Sequence, residues 1–259
     1  MAFAAINQCT LHYRLVPDDG MPVVFLNSLG TDLRIWDDVV AGLPSGVPVL
    51  CLDKRGHGLS DDGPSDMDQL VDDVAALMDH LGLTGALICG VSVGGMIAQG
   101  LAVARPDLVA RLVLCCTGAQ IGDAASWNAR IDSVQRDGIA PMAEAVLERW
   151  FSDRFRTSRR VDVAGYRNML VRTSPKGYAA ICAAIRDTDL RERVTKLDQP
   201  THCIAGTADL ATPPDLVRAL AALIPDARFS LIEGSGHLPC IEAPGAVVAA
   251  ILDMREPAR

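Results

Sequence analysis

The most informative segment of the sequence is Ala86-Leu87-Ile88-Cys89-Gly90-Val91-Ser92-Val93-Gly94-Gly95-Met96-Ile97. It begins with an apolar run of strand length and continues through two glycines into an apolar helical pattern. A serine between two such glycines stands at the carboxyl end of the strand with its hydroxyl exposed. The pattern G-x-S-x-G also recurs by chance in tight turns. The strand before it and the helix after it nevertheless make Ser92 a candidate nucleophile.

Strand and helix patterns alternate on both sides of this segment. Further apolar runs of strand length occupy residues 22–27, 48–53, 112–116, 200–206 and 228–233. Helical patterns occupy residues 67–81, 95–105, 212–224 and 243–254. Continuous apolar strands separated by helices predict an α/β fold with a mostly parallel central sheet and helices on both faces.

The alternation stops between residues 119 and 199, where helical patterns dominate. We therefore predict a helical cap over residues 119–199, inserted into a core formed by residues 1–118 and 200–259. The chain has 14 Lys and Arg against 11 Asp and Glu in that cap, a net +3, whereas the rest carries −11. A mildly positive cap would favour a small anionic ligand.

Composition excludes several other classes of protein. The 259 residues are 49% hydrophobic and 22% charged, which is too apolar for a disordered chain. The net charge of −8 argues against a nucleic-acid partner. The charge-free run from Leu81 to Ala104 is long enough to span a membrane. Its glycines favour the strand, turn and helix described above, so we predict no membrane partner. The sequence indicates no oligomeric state.

The eight cysteines are scattered through apolar segments and form no C-x-x-C pair. This spacing argues against a zinc ribbon or a thioredoxin-like motif and favours buried, reduced thiols. The first eight residues carry no Lys or Arg and no long apolar run, so we expect no secretory signal. Both features predict a cytoplasmic protein.

A serine nucleophile needs a base, because its free hydroxyl reacts poorly near neutral pH. His237 follows the last predicted strand in Gly234-Ser235-Gly236-His237, where a base can approach the Ser92 turn. Asp209 follows the strand before it and could orient that histidine. Each residue alone has an ordinary structural explanation, such as a turn or a helix cap. Their order along the chain and their positions at strand ends predict a catalytic triad of Ser92, Asp209 and His237.

Acyl transfer also requires two backbone N–H groups that stabilise the developing oxyanion. We expect one from Val93, the residue after the nucleophile. We expect the other from Leu29, in the loop after the first parallel strand.

At this point the chain resembles the α/β-hydrolase superfamily over nearly its whole length, and within it the 3-oxoadipate enol-lactonases. The segment Asp53-Lys54-Arg55-Gly56-His57-Gly58-Leu59-Ser60 is similar to the D-x-R-G-x-G-x-S segment of the superfamily. Four segments carry the narrower resemblance: residues 27–37, 90–97, 127–131 and 177–187. The last lies in the predicted cap, where hydrolases diverge. Val93 and Cys51 depart from the residues usual at their positions, with little expected consequence.

The resemblance implies hydrolysis of 3-oxoadipate enol-lactone, a small lactone bearing a carboxylate, in the β-ketoadipate pathway of aromatic catabolism. It implies no cofactor and no metal. The substrate carboxylate would need a cationic partner, for which arginine is well suited. Arg130 and Arg186 lie in the family-like cap segments and are our candidates. Trp127 lies in the third of these segments, and we expect it to line the pocket, although a tryptophan that only packs between helices would fit the same position.

Two alternatives remain open at this point. A general carboxylesterase, or a cofactor-free haloperoxidase-like perhydrolase, would use the same three residues. A ligand receptor on a hydrolase scaffold would bind without turnover, although such receptors often lose part of the triad.

Overall fold

The computed structural model describes residues 1–256, which form one eight-stranded sheet covered by helices. The strands are β1 (Ala2–Ile6), β2 (Cys9–Val16), β3 (Val23–Leu26), β4 (Val49–Leu52), β5 (Ala86–Val91), β6 (Val109–Cys115), β7 (Thr201–Gly206) and β8 (Arg228–Ile232). Their order across the sheet is β1-β2-β4-β3-β5-β6-β7-β8. The pairs β1–β2 and β2–β4 are antiparallel, and all others are parallel.

The helices lie between these strands. They are α1 (Asp37–Gly42), α2 (Met67–His80), α3 (Val93–Ala104), α4 (Ala124–Asp137), α5 (Ala143–Trp150), α6 (Asp153–Ser158), α7 (Arg160–Val171), α8 (Pro175–Arg186), α9 (Arg191–Val194), α10 (Pro214–Leu223), α11 (Pro239–Glu242) and α12 (Pro244–Arg255). Short 3-10 turns occupy Leu33–Trp36 and Ala140–Met142. Helix α3 packs beside α2, and α12 packs beside α1, with both α3 and α12 against β5 and β6.

This architecture confirms the predicted α/β fold. The parallel strands read as continuous apolar runs because both of their faces are covered, and every residue of β3, β4 and β5 is buried. The sequence also located the four helices that pack on the sheet to within about two residues at either end. Helix α3 begins at Val93, directly after Ser92, rather than at residue 95.

Helices α4 to α9 separate β6 from β7, and α4 packs against α8. Their chain positions are those of the expected cap. None of the helices in residues 1–256 combines the length and the apolar character that crossing a bilayer requires. All eight cysteine side chains are buried and none forms a disulfide, which agrees with the buried, reduced thiols expected from their apolar surroundings.

Candidate active site

Ser92 occupies a strained turn between β5 and α3. Its φ is +59° and its ψ is −122°, a backbone conformation that residues other than glycine rarely adopt. The turn is possible because two neighbours are glycines: a Cβ at Gly94 would overlap the carbonyl oxygen of Leu26, and one at Gly90 would overlap that of Gly94. The backbone oxygen of Ser92 accepts a hydrogen bond from the Thr117 hydroxyl at 2.7 Å, which holds the turn in place.

Asp209 and His237 form a buried pair at the carboxyl ends of β7 and β8. The Nδ1 atom of His237 lies 2.9 Å from Oδ2 of Asp209, and their side chains are 3% and 0% exposed. The carboxylate also accepts bonds from the Ala211 N–H at 2.7 Å, the Thr212 N–H at 3.0 Å and the Thr212 hydroxyl at 2.7 Å. The Asp209 carboxylate is therefore held in one orientation by three donors besides the imidazole.

The charge state of Asp209 follows from these contacts. Burial raises the pKa of this carboxyl, but the His237 charge and the hydrogen bonds from His237 and Thr212 outweigh burial, so the pKa is lowered overall. An ionised carboxylate only accepts hydrogen bonds, which places the imidazole proton on Nδ1 and leaves Nε2 able to accept a proton.

Ser92 and His237 line the same small cavity, whose volume is about 50 Å³. No hydrogen bond joins the Ser92 hydroxyl to His237 within residues 1–256. Such bonds are often long in enzymes without substrate and shorten in the substrate complex. The structure thus brings all three predicted triad residues to one place, with the Asp209–His237 contact already formed.

The two expected oxyanion donors flank this serine. Val93 is the first residue of α3, a position where the backbone N–H has no partner within the helix. Leu29 lines the cavity, and its N–H has no hydrogen-bond partner among the described residues. His57 holds the loop of residues 27–31 in place, because its Nε2 accepts a hydrogen bond from the Gly30 N–H at 2.8 Å. Burial and then the Lys54 charge lower the pKa of His57 well below 6.5, so its ring is neutral and can accept this bond.

Helices α4, α5 and α8 supply the other walls of the cavity. Trp127 and Arg130 come from α4, and the Arg130 guanidinium lies 5.4 Å from the centre of the Trp127 ring. Arg130 also donates to the Tyr178 hydroxyl at 3.4 Å. Burial raises the pKa of Tyr178, which keeps that hydroxyl neutral. Two of the predicted substrate-binding residues, Trp127 and Arg130, thus face Ser92.

Arg186, the third predicted substrate-binding residue, lies elsewhere. Its guanidinium bonds the carboxylate of Asp187 at 2.7 and 2.6 Å and the Asn128 amide oxygen at 2.7 Å, and it does not line the cavity. It is the last residue of α8, and the face of α8 that meets the cavity carries Tyr178 and Ile185 instead. We therefore withdraw Arg186 from the candidate substrate-binding residues.

Arg149 lines the cavity and was missed by the sequence analysis. It belongs to α5, is exposed at the rim, and has no hydrogen bond or ion pair among the described residues. Partial burial and then the positive charge of Arg130 lower its pKa. Two guanidiniums, each without a carboxylate partner within residues 1–256, therefore converge on the same cavity. Helical patterns were predicted to dominate residues 119–199, which include Arg149, but the direction in which its side chain faces was not predictable from them.

Within the described residues, Cys116, Asp209 and His237 place three metal-binding atom types within 4.8 Å of one another. Burial raises the pKa of the Cys116 thiol well above its usual value, so the sulfur is protonated and a poor ligand. The other two groups are bonded to each other. We assign no metal to this cluster.

Comparisons with known proteins agree with this geometry. Residues 21–244 match the family model of the alpha/beta hydrolase fold. The chain is 34% identical over 235 residues to a 3-oxoadipate enol-lactonase of Acinetobacter baylyi, covering 90% of this chain and 88% of the relative. It is 29% identical to a pimeloyl-acyl-carrier protein methyl ester esterase of Aromatoleum aromaticum, covering 90% and 97%.

Among solved structures, the chain is similar to the enol-lactonase from Burkholderia xenovorans. The TM-score is 0.93 at 38% sequence identity, and the match covers 98% of this chain and 99% of the other. The chain therefore belongs to the α/β-hydrolase fold family and, within that family, is similar to 3-oxoadipate enol-lactonases.

Proposed function

We propose that this protein hydrolyses 3-oxoadipate enol-lactone to 3-oxoadipate, as a step of the β-ketoadipate pathway, with Ser92, His237 and Asp209 as catalytic residues. One observation carries the proposal: four side chains line one small cavity. They are a serine in a strained turn, the histidine of a buried histidine–aspartate pair, and two arginines without a carboxylate partner within residues 1–256. The enol-lactonases named above support the choice of substrate.

In the first step, the Ser92 hydroxyl oxygen attacks the lactone carbonyl carbon while Nε2 of His237 takes the hydroxyl proton. Asp209 stabilises the imidazolium that forms. The N–H groups of Leu29 and Val93 bind the oxyanion, an interaction whose loss typically costs about 3 kcal/mol in the barrier.

Collapse of this intermediate breaks the bond between the carbonyl carbon and the ring oxygen. The ring oxygen takes the proton from His237 and leaves as an enol, which then becomes a ketone. The opened chain stays attached to Ser92 as an ester. A water molecule, deprotonated by His237, attacks that ester, releases 3-oxoadipate and restores the serine hydroxyl.

The substrate carboxylate would lie between Arg130 and Arg149. Neither guanidinium has a carboxylate partner within residues 1–256, so an anion from outside would supply one. Arginine suits this task because its planar donors match a carboxylate. The cavity of about 50 Å³ holds only about two water molecules. We therefore propose that cap side chains, Arg149 at the rim among them, move when the lactone enters.

We also propose that the chain is divided into a core of residues 1–118 and 200–259 and a cap of residues 119–199. Helices α4 to α9 of that cap separate β6 from β7 and supply both Arg130 and Arg149 to the cavity. Eight free, buried thiols favour the cytoplasm as the location.

The test compares two substrates with the purified protein: 3-oxoadipate enol-lactone and a neutral aryl ester of similar size. We expect a kcat/KM for the anionic lactone well above that for the neutral ester. A general esterase would prefer the neutral ester, and a perhydrolase would require peroxide. Binding of the lactone at one equivalent without any 3-oxoadipate would identify a receptor instead.

A further inference from the structure

Lys54 is a buried lysine that the mechanism above does not use. It is the second residue after β4, and it is 4% exposed. Its ammonium donates to the carbonyl oxygens of Ser28 at 2.5 Å, Asn27 at 3.3 Å and Thr31 at 3.5 Å. All three acceptors belong to the loop that carries Leu29.

No carboxylate lies within ion-pair distance of the Lys54 ammonium among the described residues. The nearby acids have other partners, since Asp53 bonds His12 at 2.7 Å and Asp32 bonds Arg34. A buried cation held only by carbonyl oxygens is costly compared with an apolar side chain of the same length. Packing alone therefore gives no reason for a charge at this position.

The shortest of its three contacts, at 2.5 Å, is to the carbonyl oxygen of the peptide group between Ser28 and Leu29. The carbonyl of Ser28 and the N–H of Leu29 belong to the same planar unit, and in a trans peptide they point in opposite directions. The Ser28 oxygen also accepts a bond from the Thr31 hydroxyl at 2.9 Å. The Thr31 N–H donates to the same oxygen at 3.4 Å. Three donors therefore fix the carbonyl towards the interior, which leaves the Leu29 N–H pointing the other way.

A cation on a carbonyl oxygen also withdraws electrons from its peptide, which makes the N–H of that peptide a stronger donor. We propose that Lys54 is a positioning residue that orients and polarises the Leu29 N–H towards the oxyanion formed at Ser92. This inference rests on one part of the proposed function, namely acyl transfer at Ser92. It does not require the enol-lactone to be the substrate.

The charge on Lys54 predicts a pH dependence. The charged and titratable groups that face it are Asp53, Asp32 and the neutral ring of His57. Burial lowers the pKa of Lys54 to about 7, although the two aspartates act in the opposite direction. The ammonium is therefore present below about pH 7 and lost above it. We expect kcat of the wild type to decline above this pH.

The test replaces the ammonium by a neutral side chain of similar shape, Lys54→Met, with the exposed Lys196→Met as the matched control. The substrate is a neutral aryl ester, and a trifluoromethyl ketone serves as the probe because its adduct with Ser92 carries an oxyanion. We expect Lys54→Met to lower kcat by about 10- to 100-fold, below the full effect of losing a donor. KM should change by less than about threefold, and the affinity for the ketone should fall by the same factor as kcat. The alkaline decline in kcat should disappear.

An unchanged ketone affinity in Lys54→Met would overturn the proposal even if kcat fell, because the lysine would then not act on the oxyanion. If that variant does not fold, Thr31→Val removes the hydroxyl that donates to the Ser28 carbonyl and keeps the weaker bond from the Thr31 N–H. We expect it to lower kcat about three- to tenfold, and an unchanged kcat would overturn the proposal. Since every measurement uses the ester or the ketone, failure to hydrolyse the enol-lactone would refute only the proposed substrate.

Discussion

Replacement of Arg130 by methionine should separate anionic from neutral substrates. The side chain is half-buried, packs on the Trp127 ring and has no carboxylate partner within residues 1–256. Methionine keeps most of the apolar stem and removes the charge. We therefore expect a loss of affinity for the lactone carboxylate with little effect on the chemistry at Ser92.

The size of the effect follows from the distance and the exposure. A carboxylate about 4 Å from a guanidinium gains about 4 kcal/mol at an effective dielectric constant of about 20. Partial exposure of Arg130 reduces this to about 2–3 kcal/mol, typical of a hydrogen bond between charged groups. That free energy corresponds to a kcat/KM lower by about 30- to 150-fold. Arg149 is exposed at the rim, so Arg149→Met should cost only about 1 kcal/mol, or about fivefold.

The assay measures kcat/KM for the enol-lactone and for a neutral aryl ester with each variant. Arg186→Met is the matched control, because Arg186 is a cap arginine bonded to Asp187 outside the cavity. We expect the neutral ester to be hydrolysed at the wild-type rate by all three variants. If Arg130→Met lost activity on both substrates equally, or if Arg186→Met lost as much on the lactone, the assignment of the carboxylate site would be refuted.

Three further outcomes follow from the structure. Asp209→Asn should lower kcat by about 10³- to 10⁴-fold with a native melting temperature, because an amide permits the wrong imidazole tautomer; a loss below tenfold would contradict the role. Gly95→Ala places a Cβ 2.6 Å from the Thr117 side chain and should lower the free energy of unfolding in urea by about 1–3 kcal/mol. Gly245→Ala, with open space around it, should leave that free energy unchanged or higher, and equal losses would contradict the packing argument. The His57 ring is neutral in the folded protein but binds a proton below about pH 6.5 in the unfolded chain. The free energy of unfolding therefore falls as the pH drops below 6.5, by up to about 1.4 kcal/mol per pH unit for this one proton. His57→Gln should reduce the slope between pH 6 and pH 5 by this amount, and an identical slope in both proteins would contradict it.

Most of the fold was predictable because the residues that form it act locally. The parallel strands are continuous apolar runs, and the helices on the sheet have apolar faces at helical spacing. The proximity of Ser92, Asp209 and His237 was equally accessible, since the carboxyl ends of parallel strands meet at one edge of a sheet and all three residues follow strands.

The cap side of the cavity was only partly predictable. Arg130 and Arg186 lie in similar family-like segments, yet only Arg130 faces Ser92, because the docking of α4 and α8 on the core depends on contacts between distant segments. Arg149 gave no motif at all. Lys54 lies within a recognisable segment, but nothing local indicates that its charge is buried beneath residues 27–31.

The rate of 3-oxoadipate formation from the enol-lactone, measured side by side for the wild type and Ser92→Ala, tests the central claim most directly. We expect rapid turnover by the wild type and a kcat lower by at least about 10³-fold in a folded Ser92→Ala protein. No product with the wild type would contradict the proposed substrate, and turnover retained by Ser92→Ala would contradict the serine mechanism itself.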